Sequence, residues 1–150
     1  MTLISTLNLE NAKKQIKKAK KPVILKAQDD IFDRKALEFG KFNTLLSPET
    51  GLKKDKPKYL DSGLNSIMAK IAAKNNISIG INLSEISSLE KKEKAQRLAR
   101  IKQNIQICRK AKAKIQALNC KNKKSAYSLL ISLGASTNQA KEAVKETISF

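Results

Sequence analysis

The chain has 150 residues, 31 Lys and Arg against 13 Asp and Glu, a formal charge of +18 and no histidine. That length and a hydrophobic content of 41% fit one folded domain, residues 1–150, rather than wholesale disorder. Without His, the usual general base, the Ser-His-Asp and Cys-His nucleophiles and every His-containing zinc site are excluded, and Cys108 and Cys120 are too few for a Cys-only site.

Short β-type runs alternate with helical patterns, which indicates an α/β fold with a largely parallel sheet. Thr2 to Leu7 reads as the first strand, and Asn8 to Lys21 as a lysine-rich helix ended by Pro22. Val23 to Ala27 is the second strand, Asp30 to Phe39 a short helix, and Phe42 to Ser47 the third strand. Pro48 to Tyr59, with Gly51, Pro57 and four lysines that include Lys58, is expected to form a mobile loop. Asp61 or Ser62 is placed to cap a helix with Leu64, Ile67, Met68, Ile71 and Ala72 at spacings of three and four. Ile77 to Asn82 is the fourth strand, Glu90 to Ala113 the longest helix with Leu98, Ile101, Ile105 and Cys108 as its buried stripe, and Lys114 to Asn119 the fifth strand. Gly134 is expected to stop a helix over Ser125 to Leu133, and Ser136 or Thr137 to cap a last helix ending near Ile148. Five strands in this succession fit either an open doubly wound sheet or an incomplete (β/α) barrel. No N-terminal apolar run reads as a signal peptide or membrane span, so a soluble, cytoplasmic protein with reduced thiols and no membrane contact is expected.

A charge of +18 lies well beyond the magnitude of about 2–8 usual for a small soluble domain, so a polyanionic partner, RNA in particular, is the expectation, with simple solubility the alternative. Half of the net charge falls between Lys91 and Lys114, with ten basic residues against Glu93. Arg97 and Arg100, three apart on the long helix, share a face about 5–6 Å apart at Cβ and are joined there by Lys94. They read either as a phosphate-contacting surface or as a solvated helix face. Arg34, after a strand-to-helix connection, is expected on the functional face of an α/β fold. Asp29, Asp30 and Asp33 are close enough to hold magnesium through water, but helix capping is the simpler reading. Five scattered glycines form no phosphate loop, and 4% aromatics with no Trp provide no base-stacking surface. Recognition would then run through phosphates and shape. Both cysteines read as small core hydrophobes.

Asp61-Ser62-Gly63-Leu64-Asn65, followed by Ile67-Met68-Ala69-Lys70-Ile71-Ala72-Ala73, resembles the archaeal ribonuclease P protein component 3 family. Other segments are similar in the same order: Asp33-Arg34-Lys35-Ala36, Phe42 to Pro48, Ile79-Gly80-Ile81-Asn82-Leu83, the basic helix Lys94 to Lys110, and Leu133-Gly134-Ala135-Ser136 with Ala140 to Val144. The resemblance implies a TIM-barrel-like fold, here shortened, related to metal-dependent phosphoesterases but without their metal ligands. It implies a ribonuclease P subunit that supplies no catalytic group and holds no metal or cofactor of its own. Its expected partners are the ribonuclease P RNA, which carries magnesium, the component 2 protein, and precursor tRNA through the complex. Arg34, Arg97, Arg109 and Lys110 match basic positions of the family, with Lys58 a looser match. The alternatives are a generic basic RNA- or DNA-binding module, such as a ribosome-associated protein, and a metal-dependent phosphoesterase built on Asp29, Asp30, Asp33 and Asp61.

Overall fold

The computed structural model describes residues 1–50, 60–146 and 148–150. Five strands, β1 (Thr2–Ile4), β2 (Val23–Lys26), β3 (Thr44–Leu46), β4 (Ser78–Asn82) and β5 (Ile115–Leu118), form one parallel sheet in the order β1-β2-β3-β4-β5. Strand order follows chain order with no switch point. Right-handed crossovers therefore place the connecting helices on one side of the sheet, the winding of a barrel and not of a doubly wound sheet. The fold is α/β and TIM-barrel-like, in shortened form. Among the described residues, no helix is long and apolar enough to cross a membrane.

The helices are α1 (Leu9–Lys18), α2 (Asp30–Phe39), α3 (Ser66–Lys74), α4 (Leu83–Ser87), α5 (Lys91–Ala111), α6 (Lys123–Ser132) and α7 (Thr137–Lys145). Six of them start in the same way: Asn8, Asp29, Asn65, Asn82, Asn122 and Ser136 each accept the backbone N–H three residues on. This satisfies one of the donors that a helix start leaves over. The cap of α3 is Asn65, not Asp61 or Ser62. The chain before it is held in a turn, with the Asp61 carboxylate accepting from Gly63 N–H at 3.1 Å and Gly63 at φ 74°. Gly134 does stop α6 in a left-handed conformation, at φ 94°. The last helix ends at Lys145, short of Ile148, which instead bridges Leu118 in parallel beside β5. The expected loop over 48–59 lies largely outside the described residues.

The sheet buries apolar side chains on both faces, as parallel sheets do. Val23, Leu25, Leu45, Ile79, Ile81 and Ile115 pack under the helices, while Ile24, Leu46 and Leu118 form a second cluster with Ile148 on the other side. Gly80 is needed on this inner face. A Cβ there would come within 2.8 Å of Thr44 Cγ2 and 2.9 Å of Leu118 Cδ1. The bare backbone also lets Thr44 Oγ1 donate to Gln116 Oε1 at 2.7 Å across the intervening strand.

Candidate nucleic-acid interface

Helix α5 is the element that the sequence marks for RNA, and its two ends have different surroundings. Arg97, Arg100, Ile101, Asn104, Ile105 and Cys108 are all buried, a face with alternating steps of three and one. Arg97 is only 8% exposed and Arg100 only 7%. The expected guanidinium fork therefore points inward. Arg97 Nε donates to Glu49 Oε1 at 3.1 Å, its Nη1 to Glu85 Oε1 at 2.8 Å and its Nη2 to Ser47 Oγ at 3.3 Å. Arg100 Nη1 donates to the Glu49 carbonyl at 3.3 Å, and Asn104 Nδ2 to the Ser62 carbonyl at 3.1 Å. The start of α5 thus fastens the segments following β3 and preceding α3, whose backbone carbonyls need donors once buried.

The network continues across the carboxyl end of the sheet. Asn82 Nδ2 donates to Glu85 Oε2 at 3.2 Å, while its Oδ1 accepts from Ser84 Oγ and Asn119 Nδ2, each at 3.1 Å. Asn119 Oδ1 in turn accepts from Phe150 N–H at 2.8 Å. A continuous polar chain therefore links the ends of β3, β4 and β5 to residues 148–150. Burial holds the Glu49 carboxyl above the usual carboxylate range despite the adjacent Arg97. Burial also opposes the charge on Arg97, but hydrogen bonding and attraction from Glu85 and Glu49 outweigh it and raise the guanidinium pKa further. A cleft of about 250 Å³ beside this network is lined by Glu49, Glu85 and Glu93 as well as by Arg97 and Arg100. Its acidic lining suits an ion-paired strut better than a phosphate site.

The other expected contact residues are dispersed. Lys94 is half-buried, with Nζ donating to the Ser87 carbonyl at 3.2 Å. Arg34 is exposed on α2 and pairs with Glu38 at 3.1 Å. Lys58 lies outside the described residues. Arg109 and Lys110 are exposed in the last turn of α5, about 18 Å along the helix from Arg97 and at the opposite end of the sheet. Arg109 also donates to the Gly134 carbonyl at 2.8 Å. The six described residues of this set, Arg34, Lys94, Arg97, Arg100, Arg109 and Lys110, thus do not form one patch.

Among the described residues, no three His, Cys, Asp or Glu side chains are grouped to hold a metal ion. Asp29 caps α2, and buried Asp33 accepts the Gln28 N–H at 2.7 Å. Glu49 and Glu85, the partners of Arg97, have no motif that identifies them. The burial of Arg97 has a signal: it lies four residues before Ile101, as Asn104 lies four before Cys108, so polar and apolar residues share one stripe.

No protein-family model matches the chain, and no curated protein matches it by sequence. Its structure does have a counterpart, a chain in the cryo-EM structure of an archaeal ribonuclease P with mature tRNA. The two superpose with a TM-score of 0.76 at 19% sequence identity, over 95% of this chain and 61% of that one. The chain therefore has the fold of a protein found in an archaeal ribonuclease P, over about three-fifths of that protein's length.

Proposed function

We propose that this chain is an RNA-binding protein subunit of a ribonuclease P, of the component 3 kind, working in the cytoplasm. The observation that carries this reading is the shared fold with a chain of an archaeal ribonuclease P, at a TM-score of 0.76. The charge of +18 supports it independently, because a protein that sits among phosphates must offset their mutual repulsion. In this reading the RNA, with its magnesium, cuts the 5′ leader from precursor tRNA, and the component 2 protein is the partner subunit. The chain's own residues compact the RNA and supply no reacting group.

Reconstitution tests the proposal. Precursor-tRNA cleavage by the cognate ribonuclease P RNA is measured over a magnesium titration, with and without this chain and its small partner. A lowered magnesium requirement in the presence of the chain supports the subunit role. No stimulation by a verified protein complex overturns it and leaves a generic basic RNA-binding module as the better reading.

A further inference from the structure

The amino-terminal rim of the sheet is built from the segments that leave one helix and lead into the next strand: 17–22, 40–43, 74–77 and 109–114. These twenty residues, which take in the last residues of α1, α3 and α5, include ten Lys or Arg, all exposed, and no Asp or Glu; the acidic residue in the last turn of α2, exposed Glu38, is paired with Arg34. The segments are joined into one surface. Thr2 Oγ1 donates to the Lys20 carbonyl, Asn43 exchanges hydrogen bonds with Val23, Ser78 N–H donates to the Asn43 carbonyl, and Lys114 Nζ reaches Asn76 Oδ1 at 3.1 Å. Among the described residues the carboxyl-terminal rim is of mixed sign, with Asp29, Asp30, Glu49, Asp61, Glu85, Glu90 and Glu93 beside Lys91, Lys92, Lys123 and Lys124.

Complementing helix dipoles explains only part of this polarity. The carboxyl ends of α1, α2, α3 and α5 contribute roughly −0.5 charge each, about −2 together, against ten positive charges. Lys20, Lys21, Lys41, Lys112 and Lys114 also lie beyond the helix ends. Two of them occupy left-handed backbone, Lys41 at φ 64° and Lys112 at φ 59°. Glycine or asparagine is the favoured residue there, so charge is held at the expense of backbone strain. The aromatic residue of these segments, Phe42, is buried, so their exposed side chains are suited to phosphates and not to aromatic stacking on bases.

We infer that the amino-terminal rim is the surface on which this protein docks the RNA phosphate backbone, while the carboxyl end, occupied by the Arg97 network, serves the fold. The inference rests on the RNA-binding reading above. Contacts of this kind follow phosphate geometry and not sequence.

The test compares the full chain with two variants that each remove four charges. One is Lys20→Gln/Lys21→Gln/Lys41→Gln/Lys112→Gln on the rim, and the other is Lys91→Gln/Lys92→Gln/Lys123→Gln/Lys124→Gln at the opposite end. Binding to labelled cognate ribonuclease P RNA is titrated at several KCl concentrations. The rim variant is expected to bind at least tenfold more weakly, and its log Kd against log salt to flatten by about 0.7–0.9 per lost contact. The control is expected to change by less than threefold. A wild-type chain that fails to bind overturns the RNA reading itself. Wild-type binding with equal losses in both variants, or a loss confined to the control, overturns the rim assignment and leaves the RNA reading standing. Lys41→Gly/Lys112→Gly separates binding from folding, because it should raise the melting temperature while weakening RNA binding. Unchanged affinity in that variant counts against the rim.

Discussion

Arg97→Met tests whether the long helix uses its arginines inside the protein. The side chain is 8% exposed, and its closest buried partner, Glu49, is 1% exposed. The Glu85 arm involves a carboxylate side chain that is 40% exposed, so it is worth no more than about 1 kcal/mol. The Glu49 arm dominates, since removing one member of a buried pair costs about 3–5 kcal/mol. A chain of 150 residues has an unfolding entropy of about 0.3 kcal/mol/K, so the melting temperature should fall by roughly 10–16 °C. Arg97→Met/Glu49→Leu should recover most of that loss, because no charge is left buried without a partner. Differential scanning calorimetry of both variants beside wild type completes the measurement, with RNA affinity determined on the same samples. A fall of less than about 2 °C in Arg97→Met, together with a tenfold loss of RNA affinity, would instead return Arg97 to the phosphate surface.

Glu49→Gln probes the same network through pH. The carboxyl is held above its usual range by burial. A folded-state pKa above the unfolded one contributes stability that is complete below the unfolded value and is lost as pH rises through the folded value. Wild type should therefore gain on Glu49→Gln in urea denaturation as pH is lowered from 7 to 4, and the opposite trend would show that Arg97 outweighs burial. Gly80→Ala should destabilise by about 1–3 kcal/mol in the same assay, since its Cβ would meet Thr44 and Leu118 inside 3 Å; an unchanged midpoint would mean that the inner face is loosely packed. Burial pushes the Cys108 thiol up to about 12. A thiol reagent should thus titrate one cysteine, half-buried Cys120, in the folded protein and two after unfolding. Rapid labelling of both thiols in the native state would contradict the packing of α5.

Much of the fold was legible because its signals are local. Runs of five or six residues rich in Val, Ile or Leu mark all five strands, and Asp29, Ser136 and Gly134 mark the helix ends where their chemistry predicts. The cap of α3 departs from the Asp61 or Ser62 expectation because Gly63 at positive φ turns the chain and moves the helix start to Asn65. The choice between a doubly wound sheet and a barrel depends on which strands pair, which is a long-range property. The candidate site was less legible for the same reason. Arg97 and Glu49 are 48 residues apart, so the spacing of Arg97 and Arg100 revealed a shared face but not that the face turns inward. The basic rim has the converse origin. Its lysines look like separate charge runs along the chain, and parallel winding gathers them at one end of the sheet.

The most direct test of the ribonuclease P reading is to isolate the tagged protein from its own cells under native conditions and sequence the RNA that it retains. Ribonuclease P RNA should be enriched many-fold over ribosomal and transfer RNA, with precursor tRNA present in the same fraction. Recovery of ribosomal RNA alone, or of RNA in proportion to its cellular abundance, would contradict it.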